Sequence, residues 1–99
     1  VTLLAELRTN YARFTLKDFA EKHRVSPSYV SRIARDATGV SCTELLQRRR
    51  LEKAKQLLRD TDWSVLAVSE AVGYSNNSYF YRLFEQRVGQ SPSAYRASR

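Results

Sequence analysis

Two segments of the chain carry short hydrogen-bonding side chains together with arginine at helical spacing. The first set is Ser28, Ser31, Arg32 and Arg35, and the second set is Asn77, Ser78, Tyr81 and Arg82. At about 100° per residue, each set lies on one side of a helix. Such side chains can hydrogen-bond to base edges in a DNA major groove, where arginine binds O6 and N7 of guanine. A polar face on one small helix is usually only solvated, so the argument depends on the repetition.

The two segments belong to an internal repeat with an offset of fifty residues. Ser28, Tyr29, Arg32, Gly39 and Ser41 fall on Ser78, Tyr79, Arg82, Gly89 and Ser91. At an offset of forty-nine, Leu16, Phe19 and Ala20 fall on Val65, Val68 and Ser69. Each half therefore holds a short helix, a turn and a longer helix, which is a helix-turn-helix unit. The sequence predicts two such units joined by one long helix.

Apolar residues recur every three to four positions throughout, which predicts an all-α fold of about seven helices and no sheet. N-caps are predicted at Thr15, Ser26, Ser41, Ser64, Asn76 and Ser91. The helices are predicted over Thr2–Tyr11, Leu16–His23, Pro27–Thr38 and Cys42–Arg59, from Val65, over Asn77–Val88, and from Pro92 to near Arg96. Gly39 and Gly89 are predicted to end helices in the left-handed conformation. The architecture is homeodomain-like, with two helix-turn-helix subdomains and a long linker helix.

The third and sixth helices, which carry the polar sets, need a buried face on the opposite side. The predicted buried residues are Val30, Ile33, Ala34 and Ala37 in the third helix, and Phe80, Leu83, Phe84 and Val88 in the sixth. Trp63 is predicted to pack on Val68 as a hydrophobic staple. Cys42 is predicted to be a small buried thiol, and His23 a partly buried structural histidine.

Composition narrows the class of partner. The 99 residues carry 17 Lys and Arg against 10 Asp and Glu, which gives a net charge of +7 and a pI of about 10. A single basic domain makes nucleic acid a candidate partner, with membrane surfaces and acidic proteins as competitors. No apolar run approaches the ~20 residues of a membrane span. With one cysteine, one histidine and no catalytic constellation, the sequence excludes a disulfide framework and a zinc finger, and we expect no metal, no cofactor and no enzyme activity.

Contacts with the DNA backbone are predicted at the N-terminal ends of the third and sixth helices. There the free amides and the positive end of the helix dipole attract an anion. The residues at these ends are Ser26, Pro27, Ser75 and Asn76. A separate basic cluster consists of Arg48, Arg49, Arg50, Lys53, Lys55 and Arg59. For this cluster a solvated helix face and a contact with phosphate or a partner both stay open.

The most distinctive residues lie in the second half of the chain. They are Val72-Gly73-Tyr74, Ser78-Tyr79-Phe80, Arg82, Phe84, Gly89, Ser91-Pro92 and Tyr95-Arg96. With them, and with Leu16, Phe19, Ser26-Pro27, Tyr29 and Gly39 in the first half, residues 15–96 resemble the DNA-binding domain of AraC/XylS-type transcription regulators. The chain departs from that family at Ala34, where phenylalanine is usual, and at Glu85-Gln86, where lysines are common.

The resemblance implies that two recognition helices enter successive major grooves at a spacing fixed by the linker helix. It implies sequence-specific binding of double-stranded DNA and regulation of transcription initiation, in the bacterial cytoplasm and on the nucleoid. Arg50 and Arg96 match family positions and are expected to be mainly structural while also touching the DNA backbone. A sensor or dimerisation domain, usually N-terminal, is expected to be missing from this methionine-free chain. The fragment is then a monomer, and dimerisation of a full-length protein stays open.

The predicted organisation is one DNA-binding domain over residues 1–99. Its first lobe covers 1–40, the linker helix 41–60 and the second lobe 61–99. The alternative function is a helical protein-interaction module that docks on RNA polymerase or another regulator and has only non-specific affinity for DNA. RNA polymerase stays open as a second partner even of a DNA-binding chain, whereas we expect no membrane partner.

Overall fold

The computed structural model describes residues 2–99, which form seven α-helices and no strand. The helices are α1 (Thr2–Thr9), α2 (Leu16–Lys22), α3 (Pro27–Thr38), α4 (Cys42–Asp60), α5 (Val65–Ala71), α6 (Asn77–Val88) and α7 (Pro92–Ala97). The all-α prediction is confirmed, and α3 and α6 have the predicted bounds. α1 ends before the predicted Tyr11 because the chain turns after Asn10 and brings Phe14 into the core. No helix within residues 2–99 is long and apolar enough to cross a bilayer.

All six predicted N-caps are confirmed by their hydrogen bonds. In each case the side-chain oxygen accepts from the backbone N–H three residues later, at 3.0–3.1 Å. At the other end, α3 and α6 stop at Gly39 (φ +82°) and Gly89 (φ +91°), both left-handed as predicted. Because the caps fix where α3 and α6 begin, they also fix which side chains share a face of each helix.

The chain divides into two compact units, unit 1 up to Arg49 and unit 2 over Arg50–Arg99. The division falls within α4, so each unit has a short helix, a turn and a longer helix of its own. In unit 1 the buried apolar cluster is Leu3, Leu7, Phe14, Phe19, Ala20, Val30, Ala34 and Cys42. In unit 2 the buried apolar residues are Leu51, Ala54, Leu57, Leu58, Val68, Val72, Tyr74, Phe80, Leu83 and Phe84.

Part of the predicted core is wrong. Ile33 is 38% exposed and Ala37 is also exposed, although Val30 and Ala34 of the same helix are buried. Ile33 borders an open groove of unit 1, and Ala37 lies in the last turn of α3. Val88, in the last turn of α6, is only half-buried. His23 is exposed rather than partly buried, and its ring stacks on Phe19 with the centroids 4.2 Å apart.

Candidate nucleic-acid interface

The first candidate surface is the polar face of α3 in unit 1. Ser28, Arg32 and Arg35 are exposed on it, and Ser31 is half-buried. The Arg32 guanidinium carbon lies 5.7 Å from the centroid of the Tyr29 ring. This cation–π contact restricts the arginine without consuming its hydrogen-bond donors. The structure therefore brings all four predicted base-contacting side chains of this half onto one helix.

The second candidate surface is the equivalent face of α6 in unit 2. Ser78 and Arg82 are exposed, while Tyr81 is half-buried with its ring centroid 6.5 Å from that of Phe80. Asn77 is also half-buried, and its side-chain oxygen is buried with no hydrogen-bond partner. An asparagine that binds adenine bidentately uses both its oxygen and its NH₂ group. Asn77 must therefore rotate its amide to contact adenine in this way, a requirement that residue type and spacing did not indicate.

The helix N-termini are the predicted phosphate sites. Ser26 accepts from the amide of Tyr29, and Asn76 accepts from the amide of Tyr79. Each cap thus occupies one of the first amides of its helix, which have no partner within the helix, and leaves the others for an anion. Pro27 lacks an N–H, so its contribution at the start of α3 is limited to shape. Ser75 is exposed just before the cap of α6.

Arg50 and Arg96 have defined structural contacts inside unit 2. The guanidinium carbon of Arg50 lies 5.0 Å from the centroid of the Tyr74 ring. Arg96 donates from Nε to the carbonyl oxygen of Leu58 (3.1 Å) and from Nη2 to that of Thr61 (3.2 Å). It thereby caps the carbonyl end of α4, where a positive charge is favourable. These contacts support the prediction that Arg50 and Arg96 are mainly structural. A contact of either arginine with the DNA backbone stays a prediction.

The basic residues of α4 are largely engaged within their own units. Arg48 pairs with Glu44 at 2.8 Å, and Arg49 donates to the carbonyl oxygen of Arg8 at 3.0 Å. Lys53 donates to Gln56, and Arg59 lies 3.5 Å from Asp60. Exposed pairs of this kind contribute little to stability. They nevertheless favour a solvated helix face over a contact of the cluster with phosphate or a partner.

The cysteine thiol that could act as a nucleophile is buried. Burial raises the pKa of the Cys42 thiol, so the neutral thiol is favoured over the nucleophilic thiolate. The predicted small buried thiol is confirmed at 3% exposure. Within residues 2–99, no three His, Cys, Asp or Glu side chains are grouped so that they could hold a metal ion.

Arg24 has a backbone conformation that was not predicted from the sequence, since it takes a left-handed φ of +58° without being glycine. The repeat carried the signal, because Arg24 aligns with Gly73 at an offset of forty-nine residues.

Known proteins share this arrangement. A family described as a helix-turn-helix domain matches residues 19–98. The transcriptional activator RhaR of Mannheimia succiniciproducens is 36% identical over 84 residues, which are 85% of this chain and 30% of that protein. The arabinose operon regulatory protein of Salmonella typhimurium is 33% identical over 86 residues, 87% of this chain and 31% of that protein. This chain therefore spans less than a third of either regulator.

One similar solved structure contains DNA. The DNA-binding domain of the global transcriptional factor AdpA, in complex with a target DNA, is 28% identical with a TM-score of 0.87. The match covers 98% of this chain and 88% of that chain. The relatives are regulatory proteins rather than enzymes, which confirms the prediction that this chain is not an enzyme.

Proposed function

The chain belongs to the AraC/XylS-type helix-turn-helix family, the DNA-binding domains of bacterial transcription regulators, and we propose that it binds double-stranded DNA sequence-specifically through α3 and α6. One observation carries the proposal. Two capped twelve-residue helices each expose an arginine at the same position of the repeat, Arg32 and Arg82. In a domain of net charge +7, this repetition is better explained by two DNA contacts than by two solvated faces.

Arg32 and Arg82 are the proposed principal contacts with guanine. Around them, Ser28, Ser31 and Arg35 contact one major-groove segment, and Asn77, Ser78 and Tyr81 contact the next. Serine can donate to or accept from a base edge, so these positions adapt to more than one base pair. Contacts with the DNA backbone are made by Ser26, Pro27, Ser75, Asn76, Arg50 and Arg96. The two groove segments lie about one helical turn, or ~34 Å, apart.

The larger setting is also a proposal. Residues 1–99 act as one DNA-binding domain, with lobes at 1–40 and 61–99 and a linker helix at 41–60. This domain serves a longer regulator of transcription initiation in the bacterial cytoplasm, on the nucleoid. The alternative is an interaction module that docks on RNA polymerase and binds DNA only non-specifically.

The decisive experiment is selection of bound duplexes from a random DNA pool. We expect enrichment of two short motifs about one helical turn, ~10 base pairs, apart. Log affinity should fall with log salt at a slope of about −0.9 for each phosphate contacted. A salt slope without any enriched sequence would support the interaction module and refute sequence-specific binding.

Single substitutions then test the assignment of the recognition helices. Arg32→Ala and Arg82→Ala should each weaken binding to the selected duplex by ~1–3 kcal/mol, and each should relax the base preference in its own motif only. Lys17→Ala removes the same charge from the exposed surface of α2 and is the matched control. If Lys17→Ala lost as much affinity as the arginine variants, the effect would be one of net charge, and the assignment would be wrong.

A further inference from the structure

Unit 1 has an open apolar groove on the flank of α3. The groove has a volume of about 190 Å³ and is lined by Leu3, Phe19, His23, Val25, Tyr29 and Ile33, with Val30 at its base. Tyr29 and Ile33 are 43% and 38% exposed, which is unusual for large side chains placed next to each other on one helix face. The residues proposed to contact DNA from α3 are not among those that line it. The groove therefore lies beside the proposed DNA contact and shares none of its lining residues with it.

Unit 2 shows what fits at the equivalent place. Val25 donates its amide to Ala20 (3.0 Å), and Tyr74 donates its amide to Ser69 (3.0 Å), so the two residues occupy the same backbone position of the repeat. The Tyr74 ring lies with its centroid 5.8 Å from the rings of both Tyr79 and Phe80.

Tyr79 and Phe80 are the repeat equivalents of Tyr29 and Val30, which line the groove of unit 1. In unit 2 this place is filled by an aromatic ring that is only 8% exposed. In unit 1 the smaller Val25 leaves it open. The same fold therefore provides an internal template for an aromatic occupant of the groove.

The charged residues near the groove indicate which residues should flank the aromatic side chain of a bound segment. Arg24 is exposed between the groove residues His23 and Val25 in the chain, and the Arg32 guanidinium lies over Tyr29. We infer that the groove binds a segment of another protein that inserts one aromatic side chain and carries acidic residues beside it. An apolar lining offers nothing to a phosphate backbone, so a protein segment is favoured over DNA.

The test is selection from a phage-displayed library of random twelve-residue peptides against the whole chain. We expect enriched peptides to hold one aromatic residue with two or more acidic neighbours. In ¹⁵N-labelled protein such a peptide should shift the amide signals of the groove residues Phe19, Val25, Tyr29 and Ile33. Replacing its aromatic residue with alanine, or its acids with lysines, should each weaken binding at least tenfold.

Two variants of the chain complete the test. Val25→Tyr places the unit 2 residue in the groove, and Ile33→Ser alters an exposed rim position that the fold does not need; each should weaken peptide binding at least tenfold. Leu66→Ser, at a 51% exposed position of unit 2, is the control and should change nothing. The inference is overturned if no such peptides are enriched, or if both groove variants bind as well as the parent chain.

Discussion

The two units differ in the size of the side chains that their longer helices bury. Phe84 is fully buried in α6, whereas the equivalent position of α3 holds the much smaller Ala34. Their backbones agree closely. α3 and α6 are both twelve residues long, capped by Ser26 and Asn76, and ended by a left-handed glycine. Their interiors do not agree. In unit 2 the ring of Phe84 lies with its centroid 5.7 Å from those of Phe80 and Tyr95.

The repeat thus preserves local backbone geometry but not the volume of the side chains that fill each interior. Caps and turns depend on a few polar atoms and on φ, so both units keep them despite different side chains. Filling depends on volume, and unit 1 has Val25, Val30 and Ala34 where unit 2 has Tyr74, Phe80 and Phe84. Unit 2 therefore uses its aromatic rings for its own stability, while unit 1 has an open groove.

The largest effect is expected from the aromatic core of unit 2. Phe84→Ala gives unit 2 the residue that unit 1 has at this position, and it should lower the free energy of unfolding by ~3–5 kcal/mol. The loss arises because the neighbouring rings cannot close the cavity completely. Urea denaturation followed by circular dichroism measures it. Glu85→Ala, at the next and exposed position of α6, should change stability by less than ~0.5 kcal/mol.

A small effect of Phe84→Ala would contradict this account of the two units. If the loss were under ~1 kcal/mol, the site would have collapsed around the alanine. Unit 2 would then not depend on its aromatic rings for stability, and the open groove of unit 1 could not be attributed to its smaller side chains.

Local features of the fold were predictable from the sequence, because each depends on residues close together in the chain. Serine and asparagine predict the N-caps at positions 26 and 76, and glycine predicts the helix ends at positions 39 and 89. The polar faces of α3 and α6 follow from these starts by helical geometry. That is why all four base-contacting candidates of α3 were correctly placed on one face.

Side-chain burial at the margins was not predictable in the same way. Ile33 has the spacing of a core residue, yet its exposure depends on the volume of Val25 on another segment. The buried amide oxygen of Asn77 likewise depends on three-dimensional packing. Both are properties of neighbours that periodicity does not identify. For Ile33 the alignment of the two halves of the chain does give an indication, because it sets Val25 against the larger Tyr74.

The turn between the two helices of unit 2 provides the next prediction. Gly73 has a φ of +110°, outside the region that residues with a side chain readily adopt. Gly73→Ala should therefore cost ~1–3 kcal/mol through backbone strain. Thermal unfolding is the measurement. Arg24→Ala at the equivalent position of unit 1, where a side chain is already accommodated, should leave the midpoint nearly unchanged. Equal losses at the two sites would mean that the turns are not equivalent.

A smaller effect is expected at a buried hydroxyl of the same turn. Ser69 is fully buried and donates from Oγ to the carbonyl oxygen of Tyr74 at 3.1 Å. Ser69→Ala leaves that carbonyl with one partner fewer and should cost about 1 kcal/mol. Unit 1 has Ala20 at this position, so alanine fits without strain. Denaturant unfolding measures the loss, and a stabilised Ser69→Ala protein would show that burying the hydroxyl costs more than its hydrogen bond returns.

The smallest effect should be a gain, and it links the turn of unit 1 to the groove. Arg24 holds a left-handed φ of +58°, where glycine is the more favourable residue. Arg24→Gly should raise the free energy of unfolding by ~0.5 kcal/mol, since the relieved strain exceeds the extra backbone entropy of glycine in the unfolded chain. The same change removes one of the two cations beside the groove, Arg24 and Arg32, and should weaken binding of an acidic peptide. Arg24→Ala removes the charge without glycine's conformational freedom, so it should lose peptide affinity but gain no stability. If both variants kept full peptide affinity, the positive charge of Arg24 would belong to the turn alone and not to the groove.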